Sequence, residues 1–182
     1  MKSFYKWING GEYPSKVKWI NTTQKGKDKS KLPKDLLTEE DILKLLRKCT
    51  HVRDKAFISI LWETGARIGE LIDLEVGDFE DHHHGFKINL NGKTGERRLL
   101  LISSVPHLTT WLNSHPNRND KDAPLWVNIG NSHNGQKCSY MALSKILKKT
   151  AKEAGVDKPV NPHQFRHSRT TYLANEFTEA QL

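Results

Sequence analysis

Asn161-Pro162-His163-Gln164-Phe165-Arg166-His167-Ser168 reads as the opening of a helix. Asn161 is a good N-cap, and Pro162 suits the first helical position, where its missing N–H costs nothing. His163 and Arg166 then stand three residues apart, so both project from one face of the first turns. A fixed cation beside an imidazole, close to a helix N-terminus, is a place to hold an anion. The same pattern also fits a solvated basic helix start, so its meaning rests on what lies upstream.

Upstream the pattern is mostly helical. Thr38-Glu-Glu-Asp41 matches a capping-box start for a helix to about Lys48, with Ile42, Leu43, Leu45 and Leu46 as its apolar face. A second helix is expected from about His51 to Glu63, with Phe57, Ile58, Ile60, Leu61 and Trp62 mostly buried and Glu63 at a solvated end. Thr64-Gly65 breaks it, and Ala66-Arg67-Ile68-Gly69-Glu70-Leu71 opens a third helix to about Leu74, with Arg67 beside its N-terminus. From Val76 the period changes. Phe86–Leu90 alternates as a strand, Asn91-Gly92-Lys93-Thr94-Gly95 has the glycines of a tight turn, and Arg97–Ile102 returns, which places Lys93 near an exposed hairpin tip. A helix over about Val105–Asn113, an extended piece at Pro124–Val127 and an amphipathic helix over about Tyr140–Ala154 complete the approach to Asn161.

The formal charge of +8 points to a polyanionic partner. Its distribution says more, because residues 1–34 hold nine lysines against Glu12 and Asp28, a net +7. Lys16, Lys18, Lys25, Lys27 and Lys29 are interleaved there or nearby with Phe4, Tyr5, Trp7, Tyr13 and Trp19, a mixture that tracks phosphates and stacks on bases; Asn21–Ser30 reads as a flexible linker. The competing reading is a solubilising tail whose aromatics dock on a neighbouring domain. Two distant cysteines, Cys49 and Cys138, suggest neither a disulfide framework nor a zinc knuckle, and no apolar run approaches a membrane span or a signal peptide. A soluble cytoplasmic, nucleoid-associated protein is the expectation.

Glu63-Thr-Gly-Ala-Arg67-Ile-Gly-Glu70-Leu71, then the hairpin Lys93, then His163-Gln-Phe-Arg166-His167-Ser168, in that order, resembles the tyrosine recombinases, also called phage-type integrases. The resemblance covers about residues 34–182. It implies an α+β, mainly helical catalytic domain over 35–182 with a small antiparallel β-sheet. Residues 1–34 are then a basic arm and linker, and the core-binding domain that precedes the family's catalytic domain is expected to be absent unless residues 1–20 are its last helix. It also implies double-stranded DNA as partner, strand cleavage and rejoining through a 3′-phosphotyrosyl intermediate, and neither cofactor nor catalytic metal.

In that chemistry Arg67 and Arg166 hold the non-bridging phosphate oxygens, Lys93 gives a proton to the leaving 5′-oxygen, and His163 hydrogen-bonds the phosphate or moves a proton at the nucleophile. Glu70 and His167 support them, and Arg169 is a candidate DNA contact. The family's second His or Trp and its nucleophilic Tyr lie in later helices, and Thr178-Glu-Ala-Gln181 reads as the start of one. Tyr172 and Tyr140 are read as core residues, so the nucleophile is expected beyond Leu182. This chain alone is expected to be monomeric and unable to cleave, whereas the full-length protein would oligomerise on DNA. A non-cutting DNA-binding module of the same fold, and the type IB topoisomerases, remain as alternatives.

Three look-alikes are set aside. His82-His83-His84 reads as a loop before a strand rather than a metal site. Gly92-Lys93-Thr94 imitates a phosphate-binding loop, but Lys87 stands where that motif needs its first glycine. His163 and His167 have zinc-like spacing without paired cysteines.

Overall fold

Two units make up the chain, Met1–Leu32 and Pro33–Leu182. The structure, a computed structural model, describes residues 2–18, 33–92, 95–130 and 135–176. The first unit contains two short helices, α1 (Lys2–Ile8) and α2 (Ser15–Lys18). Phe4, Trp7 and Ile8 recur at helical spacing and are exposed. The Lys6 ammonium lies 5.3 Å from the centre of the Tyr13 ring. The expected linker at 21–30 lies outside the described residues.

In the second unit a 3-10 turn at Pro33–Asp35 leads to α3 (Glu39–Lys48). The capping box forms as its sequence requires: the Thr38 N–H donates to Asp41 Oδ2 at 2.9 Å and the Asp41 N–H donates to Thr38 Oγ1 at 3.3 Å. Helix α4 (Val52–Thr64) follows, buried continuously from Ala56 to Trp62. A helix without a polar stripe there must be wrapped on all sides. Its wrapping comes from α3, α6 (below), α8 (below) and a strand of the sheet.

Gly65 ends α4 in the left-handed region, at φ 54° and ψ 23°, and its N–H donates to Leu61 O. A Cβ there would also lie 3.3 Å from Arg169 Cγ. Gly65→Ala is therefore expected to cost about 1–2 kcal/mol, read as a lower midpoint in urea unfolding with an unchanged slope.

Helix α5 (Ile68–Ile72) is shorter than its sequence suggests. The reason is tertiary: the Trp126 indole N–H donates to Leu71 O at 2.7 Å and the Leu125 N–H donates to Leu74 O at 2.8 Å, so carbonyls at the helix end are taken by the 124–127 segment. Three antiparallel strands come next, β1 (Glu80–His82), β2 (Gly85–Gly92) and β3 (Gly95–Leu101), in the spatial order β1-β2-β3. The hairpin pairs Leu90 with Arg97 and Gly92 with Gly95. Strand β1 is an addition to the expected loop: it has no apolar alternation, and its ladder to β2 is backbone pairing along a polar edge.

Helices α6 (Val105–Ser114), α7 (Tyr140–Ala154) and α8 (Pro162–Glu176) complete the unit. Gly155 closes α7 in the left-handed region, as its position predicts. Two expectations fail. Tyr140 is exposed, because the buried stripe of α7 begins only at Leu143 and continues at Leu147 and Ala151. Tyr172 is 38% exposed rather than core, with its ring 6.4 Å from that of Trp62. Cys49 and Cys138 are both buried free thiols, and burial pushes the Cys49 thiol up to about 11. Among the described residues no helix is long and apolar enough to cross a membrane, and no group of His, Cys, Asp or Glu is placed to hold a metal ion.

Candidate functional site

Arg67 is the N-cap of α5, and its side chain is set by Glu70 one turn on. The Arg67 N–H donates to Glu70 Oε2 at 2.9 Å, and Arg67 Nη1 donates to Glu70 Oε1 at 3.1 Å. Glu70 is buried, yet it stays a carboxylate: burial raises its pKa, and the Arg67 backbone with the Arg97 and Arg67 guanidiniums more than reverses this. Arg97 supplies the firmest hold, with Nη2 at 2.6 Å from Oε2 and Nη1 at 3.3 Å from Oε1.

Arg166 reaches the same place from α8. Its Nη1 donates to the carbonyl of Gly65 at 2.8 Å, so the residue that ends α4 also anchors this guanidinium. The local fold follows from the cap: the Gln164 N–H donates to Asn161 Oδ1 at 3.0 Å, and Phe165 is fully buried. Burial lowers the Arg166 pKa, and the Arg67 and Arg97 charges lower it further, partly offset by Glu70. Arg67 and Arg97 thus share the Glu70 carboxylate, and Arg166 lies close enough to feel the charges of all three, so positive charge is in excess there.

A cleft of about 380 Å³ opens beside them, lined by Glu63, Gly65, Arg97, Arg166, Arg169 and Leu173 among others. Arg169 stacks its guanidinium over the Trp62 and Tyr172 rings, 5.5 and 5.3 Å from their centres. It is half-buried over those two rings rather than a plain surface arginine. His163 is exposed on the first turn of α8, and His167 is half-buried one turn later.

Lys93, Lys25, Lys27 and Lys29 lie outside the described residues; Lys16 and Lys18 are exposed on α2. Glu63 corrects its expected role as a solvated helix end. Its carboxylate accepts the N–H groups of Ile102, Ser103 and Ser104 at 2.7, 2.8 and 2.9 Å.

Arg97 is the member that the motifs did not reveal. A signal was present: in β3 it alternates with Leu99 and Leu101, on the side opposite Arg98 and Leu100, and an arginine on the inward side of a strand needs a buried acceptor. Arg98, on the outer side, pairs with Glu80.

Residues 35–181 match the family model described as "Phage integrase family". The chain is 35% identical over 151 residues to the tyrosine recombinase XerD of Listeria monocytogenes, covering 78% of this chain and 49% of that protein. Among solved structures, the XerA recombinase superposes with a TM-score of 0.66 at 23% identity, over 80% of this chain and 53% of the other. The XerH site-specific recombinase bound to its difH substrate, before cleavage, superposes with a TM-score of 0.64 at 23% identity, over 78% and 43% of the two chains. The chain spans about half the length of the curated relatives it matches. With its mainly helical fold, small antiparallel sheet and ordered motifs, it belongs to the phage integrase family, the tyrosine recombinases.

Proposed function

We propose that residues 35–182 are the phosphate-holding part of a site-specific DNA recombinase that cuts and rejoins strands through a 3′-phosphotyrosyl intermediate. The observation that carries this reading is the grouping of Arg67 and Arg97 on the Glu70 carboxylate with Arg166, held by Gly65 O, close enough to feel their charges beside a cleft. Two guanidinium forks, Arg67 and Arg166, stabilise charge on the non-bridging oxygens as a tyrosine hydroxyl attacks phosphorus. The P–O5′ bond breaks and the leaving oxygen takes a proton from Lys93, while exposed His163 hydrogen-bonds the phosphate or moves the nucleophile's proton. Glu70 and His167 support the arginines. The bond energy is kept in the phosphotyrosyl link, so rejoining needs no nucleotide cofactor.

The chain's four tyrosines are Tyr5, Tyr13, Tyr140 and Tyr172, and none is assigned as nucleophile. Tyr5 and Tyr13 belong to the first unit, Tyr140 opens α7, and Tyr172 lies beneath Arg169. The attacking hydroxyl is assigned to a tyrosine outside these 182 residues, and double-stranded DNA held by paired copies of the full-length protein is the partner. The test is incubation of the full-length protein with nicked suicide duplexes in EDTA. An SDS-resistant protein–DNA adduct is expected there, and none from residues 1–182. Tight duplex binding with no adduct from the full-length protein would instead establish a non-cutting DNA-binding module.

The arm of residues 1–34 is assigned the bulk of non-specific DNA binding, from its net +7 and the exposed Lys16 and Lys18. Removing residues 1–30 is expected to flatten the plot of log affinity against log salt by roughly 0.9 for each phosphate that those residues neutralise. An unchanged slope would reject this assignment.

A further inference from the structure

One carboxylate serves two arginines unequally. Arg97 spans both oxygens of Glu70, whereas the Arg67 guanidinium touches it through Nη1 alone, at 3.1 Å, and its side chain is 45% exposed. Glu70 is also wedged against the hairpin: a Cβ on Gly92 would fall 2.2 Å from Oε1, so only glycine lets β2 come so close. The carboxylate is therefore filled from three sides, by the α5 cap, by the β2 backbone and by Arg97.

We infer that Arg97 is a positioning residue for Arg67: by occupying Glu70 it keeps that carboxylate from closing on Arg67 as a two-pronged pair and leaves the Arg67 fork free for a phosphate. The Arg97 fork faces Glu70, with one donor from each Nη on the carboxylate, whereas the Arg67 fork is engaged through Nη1 alone; Arg97 also lines the cleft, and contact of its remaining donors with phosphate is the competing role that the test separates. Without Arg97, Glu70 sits one turn from Arg67 with its hydrogen-bonding sites reopened, and a bidentate carboxylate–guanidinium pair is the strongest one available to it. The anion site would then be masked by its own support. The inference rests on the reading of the arginine cleft as a phosphate site, and it accounts for an inward arginine that the reaction itself does not call for.

The test follows the arginine side-chain nitrogen signals by NMR in the 182-residue chain, without ligand and during titration with inorganic phosphate. Without ligand, Arg97→Ala is expected to slow rotation of the Arg67 guanidinium, as the pair with Glu70 closes; unchanged rotation overturns the inference whether or not phosphate binds. With phosphate, the wild type should shift the Arg67 and Arg166 signals, and Arg97→Ala should weaken that binding about tenfold. Adding Glu70→Gln to Arg97→Ala should recover it to within about threefold, because the competitor has lost its charge.

Arg97→Lys, which keeps the charge but offers one point donor, should fall between the wild type and Arg97→Ala. Wild-type affinity in Arg97→Lys, no recovery in the double variant, or an Arg97 signal that follows phosphate as Arg67 does would each overturn the positioning role. A wild type whose Arg67 and Arg166 signals ignore phosphate would refute the phosphate-site reading, while the ligand-free rotation still decides what Arg97 does.

Discussion

Replacing Arg166 with alanine is expected to slow covalent adduct formation by the full-length protein about 100-fold or more, with little change in folding stability. The loss in rate follows from the role proposed for Arg166, a fixed fork placed to meet charge as it develops on a phosphate. The near-constant stability follows from two opposed effects. Arg166 donates one hydrogen bond to Gly65 O, worth about 1 kcal/mol. Against this, burial and the charges of Arg67 and Arg97 disfavour its ionised form in the native state, so its removal relieves repulsion.

Suicide-substrate kinetics and thermal unfolding of the same variant separate the two quantities. A fall in melting temperature in step with the loss of rate would make Arg166 a structural residue instead. Arg67→Ala should behave alike, except that Glu70 then keeps Arg97 as its sole guanidinium partner.

Glu63→Ala is expected to do the reverse, destabilising the fold by about 3 kcal/mol. Glu63 sits at the end of α4, and its carboxylate gathers three successive N–H groups where β3 runs into α6. Those groups lie at and just before Ser104, the N-cap of α6, and a negative charge beside a helix start also suits the helix dipole. Two of these hydrogen bonds are exposed, so water recovers part of the loss, which keeps the figure below the sum of three charge-assisted bonds. For a chain of this size the fall in melting temperature should be roughly 6–12 °C.

The pH dependence carries a sign. Burial raises the Glu63 pKa, but the hydrogen bonds at the Ile102–Ser104 corner outweigh it and hold the carboxyl below its ordinary range. A depressed carboxyl contributes stability that is complete above the unfolded value, about 4.3, and that vanishes as pH falls through the folded one. The stability gap between wild type and Glu63→Ala should therefore narrow below about pH 4 in urea melts. A gap of the same size at pH 7 and pH 3 would mean that packing, not the ionised carboxylate, holds the corner.

What the chain determined by itself is local. Thr38 with Asp41, Gly65, Gly155, and Asn161 before Pro162 set helix ends through interactions spanning only a few residues, so their chemistry is legible without a fold. The alternation of Phe86–Leu90 and the glycines of Asn91–Gly95 likewise declared the hairpin. The order of the arginine, hairpin-lysine and His-x-x-Arg motifs declared the family.

Tertiary structure alone decided the partners. Arg97 and Glu70 are 27 residues apart, Glu63 and Ser104 are 41 apart, and Arg166 and Gly65 are 101 apart. Nothing local distinguishes Glu63 from a solvated helix end, Arg169 from a surface cation, or Tyr172 from a core residue. Each acquires its role from the surface packed against it. Burial is settled by where whole elements meet, and a charge buried at such a meeting is retained only where the opposing element brings a counter-ion or hydrogen-bond partners.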